Sequence, residues 1–563
     1  MRRPIRRGAM TATVAALALV LAACGGGGEG SGDENRTAED LSTTPAFNQQ
    51  PYENVRDGGT LVTPLRADLT PQFNVHQGDM TSDTREVWNW YNPMVITFTP
   101  DGQPQINPDY VTEATEDAVD GNTRITYTIN PEATFNDGTP IDWRAWEATW
   151  RADSGRDEAF IPNSTDGYDR IASVTRGEND KQAVVTFDGV NAWWQGLFNT
   201  LVHPAVVADP QVFNQGYLNN PHPEWGAGPY TVANYDQQNA TITFERNPKW
   251  WGKPGKLDSR TFVQMEQVAK VNAFRNGQVD ATEAETEDLL SQARTAPGAD
   301  VRISGTPANY LLTLNSTAPT LREPAVRKAL FQAVDRPQIA EITFQGLGYS
   351  EDPPGSLVLQ SFQQGYEDNL AVQFDPEAAK QELDAAGWVP GPDGIRAKDG
   401  QRLSFSYVQT GDTPTKRATS GALVAMMRNV GADMQVRQVP SSEFSTIIAN
   451  KEFDMIFSGF LSSDPYGVAY ICQTYCSDST LNNSGTGTPE LDAELARVNT
   501  LPTAEEQYAA ANAVEKKALA TYGLLPVYSG PQIWVTKPGL ANFGSSLFTK
   551  ALPETIGWEQ GTA

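Results

Sequence analysis

Cys472 and Cys476, four residues apart in Cys-Gln-Thr-Tyr-Cys, are side chains with chemistry of their own. On a helix or turn this spacing puts two Cα atoms ~6 Å apart, within disulfide range. In an exported chain such a pair is expected to be oxidised, with two free thiols or half a metal site as the other readings. A zinc site needs a Cys/His cluster. The three histidines, His76, His203 and His222, are scattered, and none lies near these cysteines. No metal and no cofactor is therefore expected. Nor does Gly-x-Ser-x-Gly, His-Glu-x-x-His or a well-placed Ser-x-x-Lys announce a catalytic site. Paired carboxylates are the one enzymatic route left in so acidic a chain. The chain reads as a non-enzyme with no catalytic residue to name.

The third cysteine, Cys24, has a different setting. Arg2, Arg3, Arg6 and Arg7 precede an uncharged stretch from Gly8 to Ala23, which closes on Leu21-Ala22-Ala23-Cys24. A basic start, a short apolar run and small residues form a signal peptide, expected over residues 1–23. The run is too short for an ordinary membrane span of about 20 residues. Its last four residues resemble the bacterial lipobox, which implies cleavage before Cys24 and lipid on that residue. The chain would then be exported and anchored to the outer face of the cell membrane. Residues 24–58 follow as a flexible linker that opens with Gly, Ser and acids. Later apolar runs such as Ala422 to Met427 have the length of core helices.

The 563 residues carry a formal charge of −27. Residues 1–23 hold four Arg and no acid, so their removal leaves −31. Such a chain does not seek nucleic acid, where Lys and Arg must neutralise phosphate, or anionic headgroups without its lipid. The length after processing calls for at least two domains. With 13 Trp, 18 Tyr and 22 Phe there are aromatics for large cores and for a cleft.

Strands and helices alternate, which predicts an α/β fold. Arg124 to Ile129 alternates polar and apolar as a half-buried strand does. Asp137-Gly138 turns the chain, and Asp142 caps a helix through Trp146 and Trp150, whose spacing is that of a core face. Gln182 to Phe187 is a strand. Asp375 caps a helix that ends before Gly387, and Arg417 to Val430 is a helix stopped by Gly431. Phe453 to Phe457 is a buried strand, and Thr503 to Tyr522 is a long helix with Glu505 and Glu506 in its first turn.

Seven segments occur in order. They are Phe135-Asn-Asp-Gly-Thr-Pro140, Gly226-Ala-Gly-Pro-Tyr230, Arg246-Asn-Pro-Lys-Trp-Trp251, Phe274-Arg-Asn-Gly-Gln-Val-Asp280, Val326-Arg-Lys-Ala-Leu330 with Asp335-Arg336, Asp375-Pro376, and Ala386-Gly-Trp388. Together they resemble the solute-binding proteins of peptide-type ABC importers, the oligopeptide/dipeptide/nickel class, in an actinobacterial lipoprotein branch. The resemblance implies a type II, two-lobed clamshell of the periplasmic-binding-protein kind with an extra subdomain in lobe I. It places lobe I at 59–310 with its insertion at about 80–200, lobe II at 311–524, and the return to lobe I at 525–563. It implies a monomer that closes on a small-molecule or peptide ligand and serves ABC permease and ATPase subunits.

For the ligand site the resemblance points to Asp68 and Thr70 after the first strand, and to Tyr528. It also points to the stretch after Phe457, where relatives carry W-x-x-D-Y-x-x-P and the Asp holds a peptide α-amino group. Here that stretch reads Ser458-Gly459-Phe460-Leu461 and then Asp464-Pro465. Ser458, Gly459, Phe460 and Asp464 are the expected contacts. Leu461 stands where the anchoring Asp would be and offers an ammonium nothing. A second reading keeps the clamshell and replaces import with regulation or scaffolding of envelope glycolipid (mannolipid) synthesis.

Overall fold

The computed structural model describes residues 38–65, 70–440, 443–462 and 464–561. Four main sheets organise them. The first runs in the order Thr60–Pro64, Ser259–Val263, Thr241–Arg246, Tyr230–Asp236. Its opening strand lies parallel to Ser259–Val263, and the other pairings are antiparallel.

The second sheet is inserted between the first two strands of the first. Its order is Val111–Val119, Asn122–Ile129, Gln182–Phe187, Ile171–Arg176, all antiparallel. Alternation decides its faces: Ile125, Tyr127, Ala183 and Val185 point inward and are buried. They meet the helix Trp143–Asp153, which starts where Asp142 accepts from the Arg144 amide at 2.9 Å. Trp146 on that helix is fully buried, its ring 5.5 Å from Tyr127. Trp146 is core, as the helical spacing predicts, and Trp150 packs half-buried against the same cluster.

The third sheet, Ala281–Glu283, Pro531–Thr536 and Asp300–Gly305, joins sequence neighbours of the chain's middle and end. The fourth has the order Asp433–Val439, Ser404–Thr410, Met455–Leu461, Ala308–Leu314, Leu524–Tyr528. Two connections link these last sheets. One passes from Gly305 to Ala308 through Thr306-Pro307, the other from Tyr528 to Pro531 through Ser529-Gly530. The Thr306 amide donates to the Gly530 carbonyl at 3.0 Å, so the two strands cross side by side.

Helices Pro324–Gln332, Pro376–Ala385 and Pro414–Asn429 begin on proline, where the missing N–H costs nothing. One expected boundary moves. The strand expected at Phe453 to Phe457 starts at Met455 and continues to Leu461, because residues 458–461 pair with Ala308–Leu311. Ser458, Gly459 and Phe460 are therefore strand residues, not loop residues. Among the described residues, no helix is long and apolar enough to cross a membrane.

Glu554 illustrates what dense packing near the C-terminus does to a charge. Burial pushes its carboxyl up to about 7 from an ordinary 4.5, with Asp109 adding repulsion and Lys253 opposing it. The native state then holds a proton that the unfolded chain has released, so stability falls as pH rises from 4.5 towards 7. Glu554→Gln should remove that dependence and gain roughly 2–4 kcal/mol on the parent between pH 5 and pH 8. Thermal melts at the two pH values check this; parallel shifts of both proteins would refute it.

Candidate functional site

Two adjoining cavities open between helices and loops of the insertion, the first and third sheets, the C-terminal segment and the loops of the fourth sheet. Their volumes are about 360 and 510 Å³, each in the range of small-ligand sites. Arg85, Asn89, Met94, Asn163 and Lys550 line both.

The helix Ser82–Trp88 sets the central pair. Thr81 and Thr84 cap it reciprocally, each hydroxyl accepting from the other's amide at 3.3 and 3.1 Å. That fixed start puts Arg85 and Asn89, four apart, on one face. Lys550 joins them from the C-terminal segment. Its side chain is exposed into the cavity. Arg85 stands near enough to repel its ammonium, and Asp464 near enough to attract it. Among the described residues neither Arg85 nor Lys550 is within ion-pair distance of a carboxylate.

The smaller cavity has an acidic wall. Asp153 ends the helix Trp143–Asp153 and takes a 2.8 Å hydrogen bond from His76 Nδ1. Burial raises the Asp153 carboxyl, and His76 partly offsets this. Asp166 accepts from Ser164 Oγ at 2.6 Å and from Gln473 Nε2. Asp464 accepts from the Tyr466 amide at 2.9 Å, beside the buried phenol of Tyr470. Helix Ile471–Tyr475, which carries Gln473, is tied at its end by the Cys472–Cys476 disulfide, Cα atoms 4.8 Å apart.

The larger cavity is more apolar and more basic. Trp90, Trp534 and Phe543 line it with Leu461 and Ser462. Arg260 contributes a guanidinium stacked 3.7 Å from the Phe262 ring and donating to Thr63 Oγ1 at 2.6 Å; burial pulls it down to about 9.

Direct contacts hold the walls together. Trp193 Nε1 donates to Gln507 Oε1 at 2.5 Å, and Arg170 Nη1 donates to the Asn499 carbonyl at 2.9 Å. Trp193 also packs 5.7 Å from Tyr466 and 5.1 Å from Tyr508. These contacts run from the insertion to the fourth sheet's side, so the cleft is closed.

Of the residues expected at the site, Asp464 lines the smaller cavity. Thr70 instead sits 3.3 Å from Thr84 Oγ1, beneath the helix cap. Tyr528 is buried among Tyr310, Phe344 and Phe457 and lines neither cavity. Ser458, Gly459 and Phe460 also lie off both walls. Gly459 sits against Tyr310, where a Cβ would come 2.7 Å from the ring. Asp68 and Cys24 lie outside the described residues. Arg85, Asp153, Asp166, Gln473 and Lys550 carry no motif and were not foreseen.

Known proteins share this architecture. The family model described as bacterial extracellular solute-binding proteins, family 5 middle, matches residues 105–482. The oligopeptide-binding protein OppA of Mycobacterium tuberculosis is 34% identical over 515 residues, 90% of this chain and 86% of its own. The same organism's probable monoacyl phosphatidylinositol tetramannoside-binding protein LpqW is 28% identical over 344 residues, 54% of this chain and 52% of its own. The solved structure of the periplasmic EDTA-binding protein EppA superposes with a TM-score of 0.83 at 23% identity, covering 93% of this chain and all of that one. The fold is thus the type II binding-protein clamshell, and this chain belongs to the family 5 extracellular solute-binding proteins of peptide- and nickel-type ABC importers, a binding protein and not an enzyme.

Proposed function

We propose that this chain is a lipid-anchored receptor outside the cell membrane, which encloses a peptide between two lobes and delivers it to an ABC permease and its ATPase. The observation that carries this reading is the pair of adjoining cavities walled by elements from both sides of a closed cleft. Thr306-Pro307 and Ser529-Gly530 serve as the two-strand hinge, a few residues from the lobe boundaries expected at 310 and 524. On this hinge residues 59–305 and 531–563 form lobe I and 308–528 form lobe II, against the expected 59–310 with 525–563 and 311–524. A leash over residues 24–58 keeps the clamp near its permease, with Cys24 as the acylated end. The chain works as a monomer. OppA, named for oligopeptide binding, supports peptide as the ligand class.

Mass spectrometry of the full chain extracted from its native membrane tests these points together. Expected are an N-terminal acylated Cys24 and released peptides. Recovery of a mannosylated glycolipid without peptide would favour the envelope-synthesis reading and end the import one.

A further inference from the structure

We infer that Glu351 is a positioning residue for lobe closure: its carboxylate holds both amides of the Ser529-Gly530 connection in the closed geometry, and opening releases at least one of them. The inference rests on the peptide receptor and its two-strand hinge as read above and deepens that reading.

The two connections differ in freedom. Pro307 sits in the first, with its φ locked by the ring and no N–H to offer. The Ala308 amide donates back to the Thr306 carbonyl across it at 2.7 Å, a tight γ-type turn. The second connection ends before Pro531, so both of its own φ angles can turn. Gly530 has φ +83°, in the region that glycine enters without strain. A Cβ there would meet nothing closer than 3.6 Å, so backbone conformation and not space asks for glycine. Hinge rotation is absorbed by a few such residues, and Ser529-Gly530 is the softer of the two connections.

Glu351, on the lobe II side, takes hold of that softer connection. Its Oε1 accepts from the Ser529 amide at 2.5 Å and from the Gly530 amide at 3.1 Å, and Oε2 lies 3.1 Å from the same Gly530 nitrogen. Successive N–H groups turned to one side form a concavity for an anion, and here a side chain fills it. Hydrogen bonds to a carboxylate are roughly twice as strong as neutral ones. Both amides reach one carboxylate only over a narrow range of Ser529 φ and ψ. Rotation there turns one of them away, so the hinge cannot swing with both bonds made.

The carboxylate is itself fixed. Tyr349 Oη donates to Oε2 at 2.6 Å, and the Tyr349 ring packs edge-on against Phe344, which packs against Tyr528, the residue before the hinge. Arg336, half of the Asp335-Arg336 pair, donates from Nη1 to the carbonyls of Pro354 at 2.7 Å and Pro526 at 3.1 Å. It ties the loop that carries Glu351 to the strand that enters the hinge. The Gly530 carbonyl receives the Thr306 amide, so the hold on Gly530 extends to the first connection. Glu351, Ser529 and Gly530 line neither cavity, so any effect of Glu351 on ligand capture passes through the hinge.

Amide hydrogen exchange of the full chain, with and without a randomised library of free-ended pentapeptides, tests this, with native mass spectrometry to read retention. In the parent chain the library should slow exchange in fragments spanning 529–530 by about tenfold. Glu351→Gln keeps the size but leaves one acceptor oxygen for three donors. It should abolish that slowing and lower retention by about tenfold. Gly530→Ala, which strains the same connection, should act in the same direction. A purely structural role would lower the melting temperature of both variants and leave the loaded-to-free exchange ratio at its parental value, which would overturn the inference. Equal exchange at 529–530 in a parent chain that retains peptides would overturn it too and leave the receptor reading standing. Retention of no peptide would overturn both. The comparison on the parent chain needs no variant, so poor folding of a substituted protein cannot obscure it.

Discussion

Glu515→Ala is expected to destabilise the protein by roughly 3–5 kcal/mol and to weaken ligand capture with it. Glu515 lies on the helix Ala504–Leu519 and is 1% exposed. Four donors converge on it: Ser356 Oγ at 2.6 Å, the Leu357 amide at 2.8 Å, and Tyr475 Oη and Asn369 Nδ2, both at 2.7 Å. Burial raises its carboxyl, while those same donors pull it back. Truncation leaves the donors facing a void, each unmade bond costing about 1–3 kcal/mol before rotation of the hydroxyls recovers part. Gln in its place keeps the volume but turns an amide nitrogen towards donors, so it should rescue little.

The loss reaches the cleft through Tyr475. That residue closes the disulfide-tied helix Ile471–Tyr475, next to Tyr470 and Gln473 on the smaller cavity's wall. Thermal melts and peptide titration of Glu515→Ala should therefore show a lower melting temperature and a lower affinity together. An unchanged melting temperature would mean the carboxylate carries no such network.

The sequence made the elements legible where local chemistry decides them. Asp142 and Asp375 cap their helices as read, because a side-chain oxygen at the first amides is a short-range device. Arg124 to Ile129 lies in the strand that its alternation predicts, Asn122–Ile129. The site was far less legible. Its cavity residues run from Val75 to Lys550, and only the tertiary fold brings them together. The motif-derived stretch misled because residues 458–461 extend a strand instead of leaving it. Pairing with Ala308–Leu311 is a long-range event that local sequence does not record. Asp464 lies just beyond that strand's end and lines the smaller cavity.

Trp193→Ala is expected to open the clamp. Trp193 precedes a short turn in the insertion and inserts its ring between Tyr466 and Tyr508. Its indole N–H meets Gln507 Oε1, and Gln507 is oriented by donating its amide to the Leu501 carbonyl at 2.8 Å. Removing a buried Trp costs about 3–5 kcal/mol in a core. Here the contact spans the cleft, so much of that loss falls on the closed state and not on either side's own folding. Each 1.4 kcal/mol is about tenfold in the closed-to-open ratio, and a ligand that needs the closed form loses affinity by the same factor once that form is the minority. Peptide affinity should fall by roughly 10–100-fold, with a larger radius of gyration in solution scattering and a smaller change in melting temperature than Glu515→Ala gives. Trp193→Phe keeps ring contact and forfeits the hydrogen bond, so it should lie between. Parent-like affinity and radius in Trp193→Ala would show that the aromatic contact does not hold the cleft shut. Gln507 and Glu515 sit on one helix, two turns apart, so a single polar face within the core supports both the latch and the wall of the cavity that it closes.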